Sequence, residues 1–226
     1  MLHANVGRMD DARRRCEGAL ALARRLGDRQ REGNTLGNLG MLHIVEGRLD
    51  DAITTLEQAL QVARQLGHVQ LESVVQCNLG LALEKSGRIA EALPRFDAAL
   101  QAVRKLGDRN SEGQFVGYLG RAYARQRDFT KARACFASGQ ALLREVADPL
   151  SLGVLLCNSA ECEWGDVNSP LAQSLLEEAQ TIAVATGAGP QSELGLALNR
   201  VRQMLTPQGA DRSSELSCSG STDQVV

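Results

Sequence analysis

The sequence predicts an all-α protein: an α-solenoid of antiparallel helix pairs. Three observations carry that expectation. The first is a period. Gly7, Gly47 and Gly87 stand 40 residues apart, as do Gly27, Gly67 and Gly107, and Gly40, Gly80 and Gly120. Ala12, Ala52, Ala92, Ala132 and Ala172 keep the same step, with no insertion between Gly7 and Ala172. A repeat of this length marks stacked supersecondary units rather than one globular core. The second is helical periodicity within each unit. The third is composition. The chain has 226 residues, of which 43% are apolar and only 3% aromatic, with 22 glycines beside five prolines. Glycine without proline is neither a linker nor a collagen signature, so the glycines need structural work to do.

In order along the chain, residues 1–27 read as a partial repeat. "MLHANVGRMDDA" aligns with "MLHIVEGRLDDA" at 41–52, which places Met1 inside a first helix, Gly7 at a turn, and a second helix at about 8–26. That helix lacks a partner for Leu20, Leu22 and Leu26. Either another helix covers this end or the chain continues a longer array, so the end is expected to pack on further repeats or to self-associate. Full repeats follow at about 28–67, 68–107, 108–147 and 148–187.

In the first of them, "EGNTLGNLGMLHIVEG" puts Leu36, Leu39, Leu42 and His43 on one face and stops at Gly47. "LDDAITTLEQALQVARQLG" then places Leu49, Ala52, Ile53, Leu56, Ala59, Leu60, Ala63 and Leu66 at i, i+3, i+4, i+7 spacing. Gly67 ends it as a left-handed residue after a helix C-terminus. Asp148 before Pro149, and Ser169 before Pro170, read as N-caps followed by a first-turn proline. Gly40, Gly80 and Gly120 fall inside first helices, where glycine costs about 1 kcal/mol against alanine. A close approach by the second helix would justify that cost, and Ala160 in the fourth unit supports it. A capping helix is expected at about 190–205, and a disordered Ser/Gly/Asp-rich tail at 206–226.

"NLGMLHIVEGRLDDAITTLEQAL" (38–60) resembles a tetratricopeptide repeat through Leu39, Gly40, His43, Gly47, Ala52, Leu56, Ala59 and Leu60. Residues 78–100 and 118–140 repeat the pattern. The common form has about 34 residues. The 40-residue step resembles the Leu-Gly-Asn repeats of Pins-type polarity adaptors and the arrays attached to bacterial signalling ATPases and kinases. Leu36-Gly37-Asn38 is a literal Leu-Gly-Asn. The resemblance implies a right-handed superhelix whose concave face, lined by first helices, binds a protein or peptide without catalysis. The alternative it implies is a regulatory or sensor segment of a larger bacterial signalling protein.

The resemblance also assigns groove positions: Asn34, Val74, Gln114 and Val154; Asn38, Asn78, Tyr118 and Asn158; Met41, Leu81, Arg121 and Glu161. An amide offers donors and an acceptor, so it can grip an extended backbone of any sequence. Lys85, Arg121 and Arg125 add positive charge, and an arginine fork suits a carboxylate. An acidic partner is therefore expected.

Other classes find little support. Net charge is −2, so the basic excess that phosphate backbones demand is missing, and nucleic acid is excluded. No apolar run reaches the length of a membrane span. No nucleophile constellation, phosphate loop or zinc spacing appears, so no enzyme, cofactor or metal is expected. His3 and His43 share the bulky core slot and read as satisfied packing residues; His68 lies in a turn without a partner pattern. Cys77 and Cys157 share a slot facing the groove, and Cys16 matches the core slot of Leu56 and Phe96. The six cysteines form no CxxC pair and read as reduced thiols in a cytoplasm. Charge is segregated: +3 over residues 1–32, +3 over 33–144 and −8 over 145–226.

Overall fold

The structure is a computed structural model, which describes residues 2–205, with side chains from Met9 onward. The expectations for the His3 side chain and for the tail at 206–226 lie outside what is described. Ten helices follow one another: α1 (Leu2–Leu26), α2 (Arg29–Val45), α3 (Leu49–Leu66), α4 (Val69–Lys85), α5 (Ile89–Leu106), α6 (Arg109–Arg125), α7 (Phe129–Glu145), α8 (Pro149–Gly165), α9 (Ser169–Thr186) and α10 (Glu193–Leu205). The described residues contain no strand.

The turns are made one way throughout. The residue after each helix pair member is left-handed at Gly27, Gly47, Gly67, Gly87, Gly107 and Gly187, and also at Arg127, Ala147 and Val167. These positions stand 20 residues apart. At every one, the next residue donates its backbone N–H to the carbonyl five residues earlier, from Asp28 to Ala23 at 2.9 Å through Asn168 to Glu163 at 2.8 Å and Ala188 to Ala183 at 2.9 Å. This is the Schellman arrangement that satisfies orphan carbonyls at a helix end. On the far side of the turn, Asp28, Asp108, Asp128 and Asp148 accept from the backbone N–H three residues on.

Three local expectations are corrected. Gly7 does not turn the chain, because α1 runs unbroken from Leu2 to Leu26. Ser169 is the first residue of α9 rather than its cap; Asn168 holds the cap position, and its amide donates to Glu163 at 3.1 Å instead of capping. His68 has a partner after all: its Nδ1 caps α4 by accepting from the Leu71 N–H at 3.2 Å, the task Asp performs in the equivalent turns.

Helix pairs pack where the small residues allow it. A Cβ added at Gly40 would stand 2.5 Å from Leu56, and one at Gly80 2.6 Å from the Phe96 ring. Real atoms do not approach so closely, so glycine is what lets the second helix of each pair seat its large side chain. Ala52, Leu56, Ala59, Ala92, Phe96, Ala99, Ala132, Ala172 and Ala179 are completely buried. His43 is buried too, but its Nδ1 has no hydrogen-bond partner among the described residues, the Glu46 carboxylate standing 3.8 Å away.

The curvature follows from which helices meet. The backbones of α2, α4, α6, α8 and α10 each approach the next in that series, whereas α1, α3, α5, α7 and α9 do not approach one another among the described residues. The tighter layer lies inside the curve, so the first helices form the concave face. The N-terminal end differs from the middle. Ala12, Cys16 and Leu20 are only half-buried and Ala19 is exposed, although the same slots are fully buried in α3 and α5.

The candidate binding groove

The concave face carries the amides the sequence places there, in two different states. Asn34 and Asn38 are exposed on α2, and Asn78 is mostly buried on α4. None of the three has a hydrogen-bond partner among the described residues, so their donors and acceptors are uncommitted. Further along, the amides are engaged. Gln114 on α6 donates to Asn110 Oδ1 at 2.7 Å and also bonds Asp148. Asn158 on α8 is buried, and its Oδ1 accepts from Arg200 of α10 at 3.2 Å. The same arginine reaches Glu161 at 2.5 Å. Tyr118 lies between, with the Arg121 guanidinium 5.3 Å from its ring centre. Burial holds its phenol protonated well above the usual range, with Cys77 and Glu193 adding to the effect.

The expectation of a free arginine cluster is corrected. Arg121 binds Glu84 through both carboxylate oxygens, at 2.8 and 2.6 Å. Arg125 adds a contact to Glu84 Oε1 at 3.0 Å. The Glu84 side chain is 0% exposed. A carboxylate in that position is tolerable only with charged partners at good geometry, so the Arg121 fork is spent inside the protein, while Arg125 keeps half of its side chain exposed. Two guanidinium groups against one carboxylate still leave one positive charge in excess. Lys85 is exposed and has no ion pair among the described residues, so it is the free cation of the predicted set.

The thiols are also corrected. Cys77 and Cys157 do not face the groove; they are 2% and 0% exposed. Burial pushes the Cys157 thiol up to about 12 and the Cys77 thiol higher, which suppresses thiolate chemistry.

Sequence reasoning missed the ion pairs that brace the turns. Arg24–Glu32, Arg64–Glu72 and Arg104–Glu112 join residues eight apart across the second-to-first helix turns, at 3.0, 3.0 and 2.8 Å. The signal was present: an arginine three residues before each capping glycine and a glutamate five after it. It also missed a cavity of about 150 Å³ between α6, α8 and the start of α10. Gln114, Tyr118 and Asn158 line it, together with Val154, Leu155 and Glu193. Its position depended on how α10 seats, which no repeat position predicts.

No group of three His, Cys, Asp or Glu among the described residues could hold a metal ion. None of the described helices is long and apolar enough to cross a membrane.

Helix pairs of this kind, turned at a regular step and stacked with a concave inner layer, define a repeat solenoid. The chain belongs to the tetratricopeptide repeat family, whose sequence profile matches residues 1–65 and 71–145. No curated protein sequence matches it. In fold it is similar to BtubC (BKLC) from P. vanneervenii, with a TM-score of 0.68 and 15% identity over 96% of both chains. It is similar to a putative kinesin light chain with nearly identical TPR-like repeats from Podosopora anserina: TM-score 0.64, 17% identity, 82% of this chain and 91% of that one. A Rap protein complexed with Competence and Sporulation Factor also shares the fold, with a TM-score of 0.64 and 17% identity; 91% of this chain matches 60% of that one.

Proposed function

We propose that the protein is a non-catalytic interaction scaffold that holds an extended peptide, or a segment of a partner protein, along its concave face. The observation that carries this reading is the set of uncommitted amides at Asn34, Asn38 and Asn78. Polar groups left unpaired on a curved inner face can be satisfied by a ligand backbone, which always offers donors and acceptors. The excess positive charge at Arg121, Arg125 and Glu84, with Lys85 beside it, favours an acidic ligand residue at the middle of the groove. Buried, protonated thiols suit a reducing cytoplasm.

A random peptide library displayed on phage and panned against the purified chain tests the reading. Peptides captured by the native chain should bind the Asn38→Ala/Asn78→Ala variant about tenfold more weakly, with helicity and melting unchanged by circular dichroism. Equal binding to the variant would place the interface elsewhere.

A second reading makes the same groove the sensor of a larger bacterial signalling ATPase, kinase or transcription regulator. The likeness to a Rap protein complexed with Competence and Sporulation Factor favours it at the level of fold. An in-frame output domain in the surrounding genomic sequence, with activity that responds to a captured peptide, separates this reading from the first.

A further inference from the structure

The cavity between α6, α8 and α10 is walled by carbon and rimmed by polar groups. Leu150, Val154, Leu155 and Leu194 supply the walls. Gln114 contributes mainly its carbonyl oxygen to the rim, because its amide is engaged with Asn110 and Asp148. Tyr118 and Asn158 complete the rim, the Asn158 carbonyl already accepting from Arg200, and Glu193 is the only charged residue in the lining.

Glu193 is exposed and forms no ion pair among the described residues. It also stands at the start of α10, where a helix end presents about half a positive charge. Part of that end is already satisfied: Ser192 Oγ accepts from the Gly195 N–H at 3.1 Å. A full carboxylate charge against a partial helix charge leaves the mouth negative.

Size limits what enters. An apolar cavity of about 150 Å³ is large enough for a benzene-sized group. It is too small for a folded element and too lipophilic to favour a fully polar side chain. The polar rim then selects what stands beside the inserted group, and the unpaired Glu193 carboxylate selects a cation.

We propose that this cavity is a side-chain subsite: it receives one aromatic or large aliphatic residue of a bound peptide, whose neighbouring lysine or arginine pairs with Glu193. The inference rests on the groove reading above and adds direction to it. The ligand runs with its basic end at α10 and its acidic end toward Lys85 and Arg125. The two ends of the groove therefore read opposite charges, which sets the orientation of an extended segment.

The experiment pans a random heptapeptide phage library against the purified full chain and against Glu193→Lys. The native chain should enrich peptides that pair a large apolar residue with an adjacent lysine or arginine. The Glu193→Lys chain should lose that basic preference. A synthetic peptide of the enriched sequence should bind Glu193→Gln about tenfold more weakly, and its affinity for the native chain should fall as salt rises. Val154→Trp, which fills the cavity, should abolish binding of the same peptide. Circular dichroism melts of each variant keep loss of α10 distinct from loss of the subsite.

Enriched peptides that lack a basic residue, or that bind Glu193→Gln as well as the native chain while losing affinity for Asn38→Ala/Asn78→Ala, overturn the subsite and leave the groove intact. If no peptide binds the native chain, the groove reading falls and the subsite with it.

Discussion

From Gly27 to Gly107 the left-handed residue of every turn is glycine, whereas at the next three turns it is Arg127, Ala147 and Val167. The backbone geometry is nonetheless the same. The hydrogen bond across the turn is 3.0 Å at His68 in the first half and 3.0 Å at Asp148 in the second. In the N-terminal half the turn is written locally, in a residue that adopts it without strain. In the C-terminal half it is imposed on residues that resist it, at a cost of about 1–2 kcal/mol each, so contacts between helices must supply the difference.

Those contacts are on view. The inner helices carry glycine where the outer helix arrives at Gly40, Gly80 and Gly120, and Ala160 takes that slot in the last full repeat. Around the non-glycine turns, charged pairs also tie the helices. Arg133 binds both oxygens of Glu163 at 2.8 and 2.9 Å and also reaches Asp166 at 2.5 Å. The Glu163 side chain is 3% exposed.

The largest test of this contrast breaks the pairing. Arg133→Ala leaves Glu163 buried with only the Asn168 amide for company, and should destabilise the C-terminal half by about 3 kcal/mol in urea unfolding. Arg95→Ala, which removes an exposed pair to Glu57 at 2.9 Å, should cost under about 1 kcal/mol in the same measurement. Equal effects would mean that burial does not separate the two halves.

Overpacking comes next. Gly80→Val forces a branched side chain into the Phe96 ring and should cost about 2 kcal/mol. Ala160→Gly, the reverse change at the matching slot, should cost about 1 kcal/mol through helix propensity alone. Chemical denaturation of both variants orders them.

The turns themselves give a signed pair. Val167→Gly should stabilise by about 1 kcal/mol and Gly67→Val should destabilise by at least as much. A Val167→Gly variant with an unchanged midpoint would show that the left-handed turn there carries no strain.

The smallest effect is a pH dependence confined to the first full repeat. Burial, with Arg48 behind it, lowers the His43 pKa from its usual 6.5, against Asp51 and Glu46, which favour the charged form. The unfolded chain then binds the proton more readily than the folded one. Stability from this site is complete above pH 6.5 and declines as pH falls through it. His43→Leu, which copies Leu83 of the next repeat, should flatten that part of the pH-melting curve.

Much of the fold was legible because its instructions are local and repeated. The glycine and alanine columns, the helix pairs and the caps at Asp148 and Gly67 each depend on a few neighbouring residues. The groove columns were legible only by resemblance. The state of those residues was not, because partners such as Glu84 and Arg121 lie 37 residues apart and sit on different repeats. The unbroken α1 was not legible either: Gly7 matches a turn glycine by position, and position in a period does not by itself decide a turn.

By itself, then, the sequence determined the period, the helices and the tight contacts at Gly40 and Gly80, because each is enforced by residue type within one repeat. Only the tertiary structure decided which groove residues remain free. It spent Arg121 on a buried carboxylate with Arg125 alongside, tied Asn158 to α10, left Asn34, Asn38 and Asn78 open, and closed a cavity against Glu193. Charge and hydrogen bonds are satisfied between repeats, and what lies between repeats is not written in any one of them.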